Sequence, residues 1–467
     1  MSVVEMEGGD DGEFLSLSLA IVTDSCSQKK KHKRKRRESN LVRWDLNGNC
    51  EGKIFSLLQM REQMFKNIDK KKNGSVDEDG KGLHLIHSLL ISATSVDEND
   101  VESAIDNLSE LYQNVSLSGD SLQRVAAYFA DGLVARLLTR KSPFFDMIMK
   151  TPTPEEEFLA FTEFYKVSPF YQFAHFTANQ AIIETFEKEE STNNRSLHVI
   201  DFDISSGFQW PSLIQSLSDI ATTNNRISLK ITGFGRSLDE LQETESRLAG
   251  FAKGFRSLTF EFQGLLRGSK VGNLRRKNSE TAVVNLVFYL NTSNNVSKIC
   301  ETLKCVNLIS PSIVVMVEQE GSRSPQNFLS RFMESLHYFA AMFDSLADCL
   351  PVDSAERLNI EKNHLGKEIK CVMNFDKDNL NIISPRYERM ETWKGRMENH
   401  GFSGTKLSSK SLIQAKLLLK IRSHCSPIQF DGGNGGFRIF ENDDGKAISL
   451  GWQDRCLITA SAWHRVQ

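Results

Sequence analysis

Asp201 and Asp203 stand two residues apart at the end of an apolar run, Leu197, Val199 and Ile200, within the stretch LHVIDFDISSGFQWPSL (197–213). A strand that runs into a polar turn and then a helix is where α/β proteins bind nucleotides. An adenosylmethionine-dependent methyltransferase needs glycines at alternating positions of this turn, so that backbone and ligand approach closely. Those positions here hold Asp203, Ser205 and Gly207. Such an enzyme also needs an acid closing its second strand to take the ribose hydroxyls, and KITGFG (230–235) supplies Gly233 and Gly235 with no carboxylate before Asp239. The turn is therefore expected to be structural. Asp201 and Asp203 should accept hydrogen bonds from backbone N–H groups opening the next helix or from the helical region, while Trp210 and Pro211 wedge that helix against the sheet. No cofactor is expected.

Other residues with chemical potential are fewer. His84 and His87 have metal-compatible spacing but no third ligand nearby, so no metal site is expected. No serine has a nucleophile-elbow context, which excludes a hydrolase of that kind. The eight cysteines are scattered without a CxxC pair, as expected of a reducing compartment.

Charge is segregated rather than balanced. The formal net charge is −3, yet residues 1–28 carry six acids and no Lys or Arg. KKKHKRKRR (29–37) then sets Lys29, Lys30, Lys31, Lys33, Arg34, Lys35, Arg36 and Arg37 together. Adjacent like charges repel and cannot pack, so this block reads as a nuclear-import signal and assigns the chain to the nucleus. A second basic cluster, Arg267, Lys270, Arg275, Arg276 and Lys277, is a candidate contact for phosphate or a partner. Near-neutral charge overall argues against strong autonomous DNA binding. FLSLSL (14–19) repeats Leu15, Leu17 and Leu19 at every second residue, which places all three on one face of an extended peptide. Acids rather than bases precede this stretch, so no signal peptide is expected, and no apolar run is long enough to span a membrane.

The elements that must hold these residues follow from periodicity. Residues 1–80 read as disordered or weakly structured. From Leu83 to about 195 apolar residues recur at three- and four-residue spacing, as in Val101, Ile105, Leu108 and Leu111, giving a helical region. Thr153 with Pro154 and three glutamates marks one helix start, and Ser237 with Glu240 forms a capping box at another. From 196 to 467 strands alternate with helices: 197–203, 228–235, 258–262, 283–290 and 312–320, then an antiparallel hairpin within 437–464 around Asp443, Asp444 and Gly445. A helix over 324–346 buries Phe328, Phe332, Leu336, Phe339 and Phe343 along one stripe. The expected fold is α/β, a doubly wound, methyltransferase-like sheet with an α-helical cap; some middle helices can join the cap.

Five separated blocks, in order, resemble the GRAS family, the plant transcriptional regulators that include scarecrow-like proteins. His198, Val199, Ile200, Asp201, Gln209, Trp210 and Pro211 stand where that family has its VHIID block. LQRVAAYFADGL (122–133), FAHFTANQAIIE (173–184) and ESRLAGFA (245–252) resemble its leucine-rich regions. SRFMESLHYFAAMFDSL (330–346) with GKEI (366–369) resembles its PFYRE region, with Phe339 and Lys367 departing from the usual Tyr and Arg. Trp452, Arg455, Ser461, Ala462 and Trp463 resemble its SAW region, and Leu15, Leu17 and Leu19 resemble the LxLxL repression motif of plant regulators. The resemblance implies a non-enzymatic nuclear regulator that works as a protein–protein interaction scaffold. Its implied partners are other GRAS proteins, DNA-binding factors, a co-repressor and promoter DNA, contacted directly or through those factors. It also implies a homo- or heterodimer, with no membrane. The contrasting alternative is a methyltransferase-like protein or enzyme that binds a small molecule after residue 203.

Overall fold

A computed structural model describes residues 48–66, 78–222, 224–269, 274, 277, 279–293, 295–323, 327–377, 387–421 and 436–466. These residues fall into two compact units. One gathers the described residues of Met1–Ala160, Asn327–Phe343 and Pro351–Leu380; the other gathers those of Phe161–Gln326, Asp344–Leu350 and Asn381–Gln467. Expectation set a boundary at 195/196 while allowing some middle helices to join the helical part; the units interleave along the chain. Residues 161–195 cluster with the sheet because the helix Pro169–Lys188 packs on its strands, and the loop after it is pinned by Asn193, whose amide donates to Thr281 Oγ1 at 3.0 Å.

The first unit is helical. Helices Val101–Asn114 and Ser121–Leu137 start at Asp100 and Asp120, whose carboxylates accept from Ser103 N at 3.2 Å and Gln123 N at 2.7 Å, satisfying two of the otherwise orphaned N–H groups. Thr153 and Glu156 form a reciprocal capping box at the helix Pro154–Val167. The helix Phe328–Cys349 buries its expected stripe: Phe332 meets Phe129 edge-on at 5.4 Å and Phe343 lies 5.7 Å from Tyr128. Inside this unit Glu361 is fully buried between two guanidinium groups. It accepts from Arg124 Nε at 2.9 Å and Arg357 Nη1 at 2.6 Å, and those arginines also donate to the carbonyls of Gly119 and Leu117.

The second unit is built on a nine-stranded sheet. Strands β1 (Ser196–Asp201), β2 (Ile227–Gly235), β3 (Leu258–Leu266), β4 (Thr281–Val287) and β5 (Ile313–Gln319) run parallel in the order β3-β2-β1-β4-β5. The chain then adds β6 (Phe402–Thr405), β7 (Phe437–Asn442), β8 (Ala447–Trp452) and β9 (Arg455–Arg465). β9 pairs antiparallel with β5, β8 with β9 and β7 with β8, while β6 also pairs with β9. The expected C-terminal pair is thus three antiparallel strands plus a short fourth. Every residue of β4 is buried, as a parallel strand covered on both faces must be. The order reverses at β1, which pairs with both β2 and β4, so the 201–209 turn sits at the switch point of a doubly wound, methyltransferase-like sheet.

Candidate functional site at the end of the first strand

Asp201 is the last residue of β1 and is buried. Its Oδ1 accepts from Asn285 Nδ2 at 3.1 Å and from the backbone N–H of Asp203 at 3.2 Å, and its Oδ2 accepts from the indole Nε1 of Trp210 at 3.0 Å. Where N–H groups opening the next helix or the helical region were expected, Asp201 meets an indole, an amide and the backbone N–H of Asp203. The cause is that Trp210 begins the helix Trp210–Ile220 and turns its ring inward, so its N–H reaches the carboxyl while the ring is fully buried. Pro211 occupies the first turn of that helix, where a missing N–H costs nothing.

The network extends through neutral amides. Asn285 and Gln209 exchange reciprocal hydrogen bonds, each 3.1 Å, and Gln209 Nε2 also donates to Asn179 Oδ1 at 3.1 Å. Asn179 returns donors to the Gln209 carbonyl at 2.9 Å and to Ser212 Oγ at 2.8 Å. This interior polar chain ties β1, β4, the switch-point turn and the helix Pro169–Lys188 together. Burial pushes the Asp201 carboxyl up to about 7, with the donors from Asn285, Asp203 and Trp210 opposing that rise.

Asp203 has a different fate. It forms an ion pair with Arg267 at 2.5 Å, and burial holds its carboxyl above the ordinary value against that guanidinium. Arg267, expected as a phosphate or partner contact, is therefore engaged within the unit. His198 Nε2 lies 2.9 Å from Thr232 Oγ1 and its other nitrogen 3.6 Å from Glu280, and burial depresses its basicity. Val199 and Ile200 are core residues.

Side chains pack closely on the end of the second strand. A Cβ on Gly233 would lie 2.8 Å from Ile204 Cβ, and one on Gly235 would lie 2.8 Å from Leu241 Cγ. Ile204 is locked there by its N–H, which donates to the Phe234 carbonyl at 2.9 Å, and Phe202 packs on Phe234 and Tyr289 at 5.4 Å each. The glycines of KITGFG thus admit Ile204 and Leu241. At the ends of β4 and β5, Glu318 Oε1 accepts from the backbone N–H groups of Leu290 and Asn291 at 2.5 and 3.3 Å, while Oε2 is buried with no hydrogen-bond partner among the described residues. Burial raises this carboxyl to about 8.

The C-terminal motif is internal as well. Trp463 is buried and donates to Ser461 Oγ at 2.9 Å; Ala462 pairs with Val315 in β5 and with Thr405 in β6. Trp452 donates its indole to Asp344 Oδ2 at 2.7 Å, and Arg455 opens β9. His84 lies 3.7 Å from Glu110, and no metal-holding group of three or more His, Cys, Asp or Glu residues occurs among the described residues. Lys277 is exposed. Leu15, Leu17, Leu19, Lys29, Lys30, Lys31, Lys33, Arg34, Lys35, Arg36, Arg37, Lys270, Arg275 and Arg276 lie outside the described residues.

Two members of this hydrogen-bond network were missed from sequence. Asn285 is the one polar residue in the apolar run VVNLVF, and Asn179 lies on the buried side of FAHFTANQ. A polar residue inside a fully buried run demands a hydrogen-bonding partner, which was the available signal.

A doubly wound sheet braced at its switch-point turn by an inward-facing amide network defines an α/β protein with a methyltransferase-like fold. The chain belongs to the GRAS domain family, whose model matches residues 85–464. It is 36% identical over 397 residues to Protein SCARECROW of Arabidopsis thaliana, covering 83% of this chain and 56% of that protein. It is 34% identical over 402 residues to DELLA protein 2 of Medicago truncatula, covering 83% of this chain and 68% of that protein. The crystal structure of SCL7 from Oryza sativa superposes with a TM-score of 0.65 at 26% identity, covering 81% of this chain and 99% of that one. The chain thus spans little more than half the length of the SCARECROW relative.

Proposed function

We propose that this protein is a nuclear transcriptional regulator of the GRAS type that works as an interaction scaffold rather than an enzyme. The observation that carries the reading is the filling of the switch-point turn by Ile204 and Leu241 against Gly233 and Gly235, with Asp201 committed to Trp210 and Asn285. Residues that a cofactor would need are spent on holding the sheet together, which leaves the surface as the place of work. In this reading the Lys29–Arg37 block serves import, Leu15, Leu17 and Leu19 are offered to a co-repressor, and Lys270, Arg275, Arg276 and Lys277 contact a partner or DNA phosphate. Other GRAS chains and DNA-binding factors are the proposed partners, in homo- or heterodimers. No helix among the described residues is long and apolar enough to cross a membrane.

Calorimetry with adenosylmethionine tests the non-enzymatic part. No saturable heat is expected at micromolar ligand. Saturable binding that is lost in folded Asp201→Asn protein would overturn the reading and restore the small-molecule alternative.

A further inference from the structure

The helix Ser409–Ile421 carries an unusual outer face. Ile413, Leu417 and Ile421 are 55%, 48% and 79% exposed. Spaced four residues apart, they form one continuous stripe with a rise of roughly 6 Å between neighbours. Single exposed aliphatics are ordinary, but three in register on one helix are not. The same face is basic: Lys410, Lys416 and Lys420 flank the stripe, Lys406 stands just before it, all are exposed, and no acid occurs from 406 to 421. The inner face is anchored by buried Ser411, Ala415, Leu418 and Leu419.

One segment of the same chain has the complementary chemistry. Residues 1–28 carry Glu5, Glu7, Asp10, Asp11, Glu13 and Asp24 with no Lys or Arg, and Leu15, Leu17 and Leu19 follow the first five acids. In an extended peptide those leucines share one face at roughly 6.7 Å intervals, close to the spacing of the helical stripe. Laid parallel to the helix, the leucines meet Ile413, Leu417 and Ile421 while the preceding acids meet Lys406 and Lys410. Ser16 and Ser18 then face water. The tether from Thr23 to Asn47 is 25 residues long and spans up to roughly 80 Å when extended. Tethering also supplies an effective concentration near the millimolar range, enough to populate a contact that would be weak between separate molecules.

We propose that the acidic, leucine-alternating segment Glu5–Val22 docks on the Ile413–Leu417–Ile421 stripe of its own chain. The docked state hides the three leucines from any other groove, which makes the contact an internal restraint on whatever those leucines bind. The proposal concerns the contact itself and stands whether or not the leucines also recruit a co-repressor.

The test uses the full chain and a fluorescein-labelled peptide of residues 5–22. In wild type the stripe is occupied, so the peptide should bind at least tenfold more weakly than to the Leu15→Ser, Leu17→Ser, Leu19→Ser chain. Adding Ile413→Ser, Leu417→Ser and Ile421→Ser to that chain should abolish binding; these side chains are exposed, and an unchanged thermal melt confirms the fold. Lys406→Glu, Lys410→Glu and Lys416→Glu should weaken binding tenfold, with recovery when the five leading acids of the peptide become lysine. Carbodiimide should join Lys406 or Lys410 to Asp11 or Glu13 in wild type at a yield independent of protein concentration. Equal affinity for wild type and the leucine variant, failure of the charge swap to restore binding, or cross-links that rise with concentration each overturn the proposal; the last would place the segment on a second copy.

Discussion

Two buried carboxyl groups, one in each unit, solve the same physical problem differently. Glu361 in the helical unit lies between the guanidinium groups of Arg124 and Arg357, whereas Asp201 in the sheet unit is met by an indole, an amide and a backbone N–H, all neutral. Burial raises both carboxyls above their ordinary values, against two positive charges for Glu361 and against dipoles alone for Asp201, whose value rises to about 7. An ion-paired centre is costly to unbalance because removing the anion strands two cations; an amide-held centre loses only hydrogen-bond matching. The contrast therefore predicts different penalties and different responses to pH.

The largest expected effect follows from breaking the ion-paired centre. Glu361→Ala should destabilise the protein by about 3–5 kcal/mol, because Arg124 and Arg357 keep their burial and lose the charge that balances it. Replacing all three residues by leucine and methionine should cost far less, since the cations go with the anion. Urea denaturation followed by circular dichroism measures both, and a single-variant loss no larger than the triple-variant loss would erase the distinction.

A smaller effect, about 1–3 kcal/mol, is expected for Asp201→Asn. The asparagine carbonyl can face Trp210 or the Asn285 and Asp203 donors, but its NH2 then confronts a donor on the other side. With the folded carboxyl near 7 and the unfolded one near the ordinary 3.8, the folded chain holds a proton that the unfolded chain has released between those values. Asp201 stability is thus fully present below the unfolded value and is lost as pH rises through about 7. Glu318 extends the same trend to about 8. Thermal melts from pH 5 to 8.5 should show wild type falling with pH, a flatter profile for Asp201→Asn, and a penalty that shrinks towards alkaline pH. A penalty that grows with pH would mean that the carboxylate is ionised in the folded protein.

The same contrast explains how much could be read in advance. Strands β1, β2, β4 and β5 were legible because covered parallel strands are short apolar runs, and the Thr153 cap was legible because its partners are local. Ser237 does cap Glu240 N at 3.1 Å, but the Glu240 carboxylate turns to Arg236, so only half of that box forms. What stayed hidden was contact between distant residues. Arg124 pairs across 237 positions with Glu361, and Gln209 across 76 with Asn285, separations that no local spacing rule reaches. For the same reason the partners of Asp201 were not identified from the sequence, and the two units interleave along the chain.

The smallest effect is expected where a charged pair is not buried. Lys230 on β2 lies 2.6 Å from Glu261 on β3, directly opposite it in register, yet the two side chains remain 29% and 63% exposed. Water screens such a pair and ordering two long side chains opposes it, so its net contribution is about 0–1 kcal/mol. Lys230→Met should therefore shift the urea midpoint slightly at low ionic strength and not at all at high salt, where screening removes what attraction remains. Glu361→Ala should keep its full penalty at both salt concentrations, since no counter-ion reaches a carboxyl enclosed by Arg124 and Arg357. If the two variants respond alike to salt, burial is not what separates the centres, and the penalty at Glu361 must come from repacking of the π-helical segment Glu361–Leu365 rather than from stranded charge.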